Sequence, residues 1–307
     1  AAAAQLAASL LAFVMLLILL ERYSRRRARY HSAAESKARA DLIPLIGRNA
    51  VIAVAVCLAP LMFGFIIPAT QLLFWAVFEA EPLGWEFVSL AWNSFSLAFL
   101  AAIVAVTLAI ILSYAKRTRP IKPVRTVIAM AGFGYALPGT IVAIGVLIPL
   151  AWLDHSLIAL FERLGWHSPG LILSGSLVAL LFAYTVRFLA VALGSVQSGL
   201  EKIKPSLDHA GRSMGHSPWA IISKIHVPLM RSSILTAVLI VFVDVLKELP
   251  ATLILRPFNF NTMAVRAYEL ASDERLVDAA PASIMIVLVG LVPVLMLHGS
   301  IARRRPK

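Results

Sequence analysis

Seven long apolar runs, separated by segments alternately rich and poor in lysine and arginine, fix what this chain can fold into. The runs lie at residues 3–20, 51–78, 91–114, 127–153, 171–197, 232–255 and 282–301. Crossing about 30 Å of hydrocarbon takes roughly 20 helical residues, and each run meets or approaches that length. A backbone in lipid must satisfy its own hydrogen bonds, so the spanning elements are helices. Of the 307 residues, 60% are hydrophobic and only 14% charged, whereas a soluble domain carries about a quarter charged residues. The expected fold is all-α: a polytopic membrane helix bundle of about seven spans.

The net charge of +12 could point to nucleic acid, but its distribution points to membrane topology. One set of connecting segments holds Arg22, Arg25, Arg26, Arg27, Arg29, Lys37, Arg39 and Arg48, then Lys116, Arg117, Arg119, Lys122 and Arg125. The same set continues with Lys202, Lys204, Arg212, Lys224 and Arg231, and ends with Arg303, Arg304, Arg305 and Lys307. The alternate set holds Arg163, Arg256, Arg266 and Arg275. Basic loops stay cytoplasmic, so seven crossings place Lys307 inside, in a multi-pass protein of the bacterial inner membrane in contact with its lipids. No nucleic-acid partner is expected.

The sequence opens at Ala1 within an apolar run, without the basic residues that precede a signal peptide. The first and last runs are also alike, each beginning with small residues and closing on an arginine cluster. Residues 1–49 are therefore expected to be the last helix of a preceding half plus a cytoplasmic linker. Residues 50–307 form a six-helix domain with a cytoplasmic loop at 200–231. Cys57, alone and within an apolar run, is read as a packing residue. His31, His155, His167, His209, His216, His226 and His298 fall in loops or near span ends and make no metal set; they are read as solvated.

The loop between the fifth and sixth runs, KPSLDHAGRSMGHSPWAIISKIHVPLMR, reads as two short helices. Ser206 is placed to cap the first, which Gly215 ends in a left-handed turn. Ser217 caps the second, with Pro218 at its first position and Pro228 stopping it before the membrane. The plain reading is an amphipathic connector with a glycine hinge.

This loop resembles the cytoplasmic motif of ATP-binding-cassette importer permeases: EAA, three residues, G, nine residues, then I-x-L-P. Here His209, Ala210 and Gly211 occupy the EAA positions, Gly215 the glycine, and Ile225 and Pro228 the closing isoleucine and proline. The departures are His209 for glutamate, Gly211 for alanine and Val227 for leucine; Asp208 offers an acid one position early, on a face about 100° away. The resemblance implies a type I importer transmembrane domain whose loop (Asp208, His209, Ala210, Gly211, Gly215, Ile225 and Pro228) docks on a cytoplasmic ATP-binding subunit, present in two copies. No phosphate-cradling G-x-x-x-x-G-K-[ST] run occurs. The chain is thus expected to be a transport subunit, not an enzyme, that binds no cofactor itself, with ATP and Mg on the partner ATPase.

Residues 242–281, with AYTVRF, ALPGTIVAIG and NSFSLAF elsewhere, resemble the ferric-iron permeases over essentially residues 50–307. This implies a periplasmic iron-binding protein as partner and a second permease half, fused or homologous. Related permeases carry thiamine, phosphonates, sulfate or polyamines.

Asp244, Lys247 and Glu248 lie inside the sixth run at spacings that put Asp244 beside both others on one helical face. Charges at such depth pair or face water, and Arg187 in the fifth run is a candidate partner. The cluster is either a gate lining the translocation pathway or an ion-pair network fixing helix packing. Pro250 should break the helix beside it. An ion-coupled secondary transporter would use the same charges but leave the loop motif without a purpose. A membrane enzyme lacks any nucleophile–base or metal pattern. The segment 256–281 is expected to hold a short surface helix, with Met263, Ala267 and Leu270 as its apolar stripe.

Overall fold

A computed structural model of the chain describes residues 46–168 and 170–302, with isolated helical positions between Gln5 and Leu20. The expected first span and the arginine cluster after it lie largely outside the described residues. The chain divides into two compact units, Ala1–Glu79 and Ala80–Lys307.

In the first unit, α1 runs from Arg48 to Glu79 and is long and apolar enough to span. Two wide π turns interrupt it, at Met62–Ile66 and Trp75–Glu79. Pro60 and Pro68 explain the irregularity around the first, because each lacks the N–H that would close an α turn. Cys57, expected to pack, is exposed on this helix.

Every regular element among the described residues of the second unit is a helix. It contains α2 (Trp85–Thr118), α3 (Lys122–Ala131), a 3₁₀ turn (Gly134–Ala136), α4 (Gly139–Arg163) and α5 (Leu177–Glu201). Then come α6 (Pro205–Ser213), α7 (Pro218–Leu229), α8 (Arg231–Leu246), α9 (Pro250–Leu255), α10 (Met263–Ser272) and α11 (Leu276–Ala302). The core is a three-helix contact of α2, α5 and α8. Lipid is as apolar as leucine, so membrane helices gain by close approach of small residues rather than by burying large ones. The sequence supplies them: Ala98, Ala101, Ala102, Ala105 and Ala109 on α2, Ala179, Ala183 and Ala192 on α5, and Ala237 on α8 are essentially inaccessible. A methyl group added at Gly199 of α5 would lie 2.6 Å from Cβ of Ser233 on α8. That contact sets how closely the two helices meet.

Two expected spans are divided, and the fifth, read as 171–197, starts only at Leu177. The fourth, read as 127–153, is α3, a turn, and then α4 beginning only at Gly139. Pro138 holds Leu137 extended and so separates the pieces. The sixth, read as 232–255, breaks at residues 247–249 into α8 and α9, as Pro250 dictates. α10 forms where the surface helix was expected, capped by Thr262 and with Ala264 and Val265 also buried. Asp154 gave no signal in the sequence, yet it is buried in α4. It accepts from the backbone N–H groups of Ile172, Leu173 and Ser174 at 2.7–3.1 Å, tying down the turn before α5.

Candidate functional site

Two polar clusters occupy the breaks in this bundle. The first lies at its basic end, where α6 and α7 form a helical hairpin. Pro205 occupies the first turn of α6 and Lys204 its cap position without a side-chain bond, so Ser206 is not the cap it was expected to be. The helix ends as anticipated at Gly215, whose φ of 78° is left-handed. Gly215 N–H bonds to Arg212 O at 2.9 Å and His216 N–H to Gly211 O at 3.0 Å, the two bonds of a Schellman turn. Ser217 then caps α7, its Oγ accepting from Ala220 N–H at 3.3 Å.

The hairpin is fastened by one carboxylate. Asp208 is buried and accepts from Arg117 Nε at 2.6 Å and from His226 Nε2 at 2.5 Å. Arg117, at the end of α2, also donates to Leu200 O at 2.6 Å and Ile203 O at 2.8 Å, two carbonyls where α5 ends. A single guanidinium thus joins α2, α5 and α6, and Asp208 links it to α7. The π turn Ile222–His226 lengthens the local repeat, so that Ile221 and His226 both face inward. Gly211 seats α6 on α7: a Cβ there would lie 3.2 Å from Ile221 Cγ1 and Ile225 Cδ1.

Two expectations change here. Asp208 does not project from the loop as a substitute acid, because its carboxylate is consumed inside the hairpin. His226 is not solvated, being 1% exposed against Asp208 and the edge of Tyr114. What faces outward is His209, Ala210, Arg212, Met214, Gly215 and Pro228, with Trp219 67% exposed. Trp219 was missed by motif reasoning; its position opposite the glycine turn, in the second residue of α7, was the available signal.

The second cluster gathers where α4 begins, α5 passes, and α8 gives way to α9. Glu248 Oε2 is 3.4 Å from Arg187 Nε, and its Oε1 accepts from Ala251 N–H at 3.3 Å. Arg187 Nη1 donates to Leu137 O at 3.1 Å, holding the extended segment before α4. Gly139 leaves the room: a Cβ there would collide with Glu248 Oε1 and lie 2.7 Å from Arg187 Nη1. Thr252 Oγ1 donates to Glu248 O at 2.6 Å and is itself 2.6 Å from Tyr184 Oη. Lys247 pairs with Asp244 at 2.9 Å, but its side chain is 62% exposed while that of Asp244 is 10% exposed. All four expected residues therefore meet at one helix break, in two pairs: Arg187 with Glu248, and Lys247 with Asp244. Among the described residues no group of histidine, cysteine or carboxylate side chains is arranged to hold a metal ion.

The helical bundle with a glycine-hinged loop at its basic end agrees with the fold that the importer-permease resemblance implied. Residues 125–305 match the family described as binding-protein-dependent transport system inner membrane component, and the chain belongs to that family. It is accordingly a multi-pass inner-membrane protein of that family. It is 25% identical over 236 residues to the Fe(3+)-transport system permease protein FbpB 2 of Haemophilus influenzae, covering 75% of this chain and 43% of that protein. The chain thus spans less than half the length of that relative. It is 23% identical to the putative 2-aminoethylphosphonate transport system permease protein PhnV of Salmonella typhimurium, covering 70% of this chain and 76% of that one. Among solved structures, a chain of a bacterial alginate ABC transporter in complex with a periplasmic protein superposes with a TM-score of 0.59. The identity is 14%, and the match covers 81% of this chain and 91% of that chain.

Proposed function

We propose that this chain forms one half of the translocation pathway of an ATP-driven importer for ferric iron, with α6–α7 as the element that receives the motion of a cytoplasmic ATPase. Two ATPase copies, a periplasmic iron-binding protein and a second permease half complete the assembly. ATP and Mg are held by the ATPase. The basic end, with the C-terminus, faces the cytoplasm, and residues 1–49 belong to the preceding half while 50–307 form the permease domain.

The observation carrying this reading is the fastening of the α6–α7 hairpin through Asp208. Arg117 connects it to two core helices at once. A push on the exposed face at His209, Ala210, Met214 and Trp219 would therefore move α2 and α5 rather than bend a loose connector. Beyond α7 the chain turns by 81° into α8, and α8 leads to the mid-membrane cluster of Asp244, Lys247 and Glu248. Iron as cargo is supported by the relative from Haemophilus influenzae; the phosphonate relative supports an oxyanion as the alternative.

The test is ATP-dependent ⁵⁵Fe uptake into vesicles holding full-length permease, ATPase and binding protein, compared with Gly215→Pro. Proline fixes φ near −65° and lacks the N–H that Gly215 gives to Arg212. The expected result is ATP-dependent uptake by the native protein that the variant loses with membrane insertion intact. Uptake of phosphonate but not iron would overturn the cargo and leave the architecture. Uptake indifferent to ATP would overturn both.

A further inference from the structure

Among the described residues, the charged side chains of the fifth and sixth apolar runs are Arg187, Asp244, Lys247 and Glu248, and three of the four are turned inward. The side chains of Arg187, Asp244 and Glu248 are 18%, 10% and 6% exposed; that of Lys247 is 62% exposed. Lys247 follows the sixteen residues of α8, about 24 Å of helix from Arg231 at a rise of 1.5 Å per residue. An ammonium at that depth is costly against lipid and therefore faces water or a polar wall. In a permease built from two halves, the wall that one half leaves open is the path between them.

The carboxylates are not available to a passing ion. Glu248 is engaged by Arg187 and by the N–H of Ala251, and it lies against the first residue of α4, where a helix N-terminus adds partial positive charge. Asp244 is buried and occupied by Lys247, whose own side chain is exposed. A solute at this level meets a cation, with the compensating negative charge behind it. A bare trivalent cation would be repelled at close range in a weakly screening environment, whereas an anion would be drawn in.

We propose that the path past Lys247 carries cargo as an anion, either a free oxyanion such as a phosphonate or ferric iron travelling as a negatively charged complex. The inference rests on the importer reading above, and the experiment separates the two. In the full assembly with Cys57→Ser, Tyr135→Cys places a thiol on a half-exposed position within electrostatic range of Lys247. The rates of its modification by a negatively charged sulfonate and a positively charged trimethylammonium thiosulfonate reagent are compared.

With Lys247 present, the anionic reagent should be favoured, and Lys247→Glu should shift the ratio of rates by at least about tenfold toward the cation. A cation preference with Lys247 in place, or no reaction with either reagent in the assembled protein, would overturn the proposal. So would failure of Lys247→Ala to assemble with its partner half, which would make the lysine an interface pin. These readouts need no cargo and stand whether or not iron is transported. Uptake then identifies the source: ⁵⁵Fe and [³²P]phosphate entering together indicate the complex, and [¹⁴C]2-aminoethylphosphonate entering alone indicates the free oxyanion. ⁵⁵Fe entering without an anion would contradict the proposal.

Discussion

The cluster at the hairpin and the cluster at mid-membrane use the same chemistry, a buried carboxylate held by an arginine, to opposite effect. At the hairpin every ionic group of the cluster points inward, and the outward face is left to Ala210, Met214 and Trp219 with cations around them. Asp208 has two side-chain partners on two helices, and Arg117 adds two helix-end carbonyls. At mid-membrane, Arg187 and Glu248 lie behind an exposed Lys247, and the backbone around them is interrupted at residues 247–249 and again before Gly139. Under the proposed function the first arrangement serves as a rigid lever and the second as a joint with a charged face.

Removing Asp208 should do the most damage. Asp208→Ala strands Arg117 in the bundle, and breaking a buried pair from one side costs about 3–5 kcal/mol. Thermal unfolding of the purified permease should register it, and Arg117→Ala should be less than additive with it. Next comes Gly139→Ala, whose methyl group displaces the Glu248 and Arg187 side chains. Losing that packed pairing costs about 1–3 kcal/mol, and transport should fall while binding of the ATPase does not.

Smaller still is Gly215→Ala, which forces an alanine to φ near 78° at about 1–2 kcal/mol. Ser217→Ala loses one helix cap, about 1 kcal/mol. Both should loosen the hairpin, measured as faster amide exchange across residues 205–229. Lys247→Ala should lower the unfolding temperature less than Asp208→Ala, because Lys247 is largely exposed and water can reach its side of the pair, although Asp244 is buried. A large drop there would erase the distinction between lever and joint.

The sequence made the lever legible because its signals are local. Gly215, Ser217 and Pro218 act within a few residues, and a turn of that kind is written in neighbouring side chains. Pro250 likewise announced the break after α8. The partners of Asp208 were not legible: Arg117 sits 91 positions away, and nothing in its surroundings distinguishes it from the other basic residues of the same end. His226 looked like a loop histidine because periodicity cannot foresee a π turn, which moves it from the surface to the interior. The pairing of Arg187 with Glu248 was readable only as an electrostatic need, since both lie in runs with few alternatives. The role of Gly139 depends on three elements meeting at one point and left no trace in composition.

The most direct test of the central claim, that α6–α7 is the lever, is site-directed cross-linking to the ATPase. In a Cys57→Ser background, single cysteines replace His209, Met214 or Trp219 on the outward face, and Leu235 on α8 serves as the control. The first three should link to the ATPase through a maleimide–benzophenone photo-cross-linker, which needs no thiol on the partner, with yields that change when ATP is bound, and the control should not. Absence of links from all three, in membranes where ATP-dependent uptake is intact, would contradict that claim.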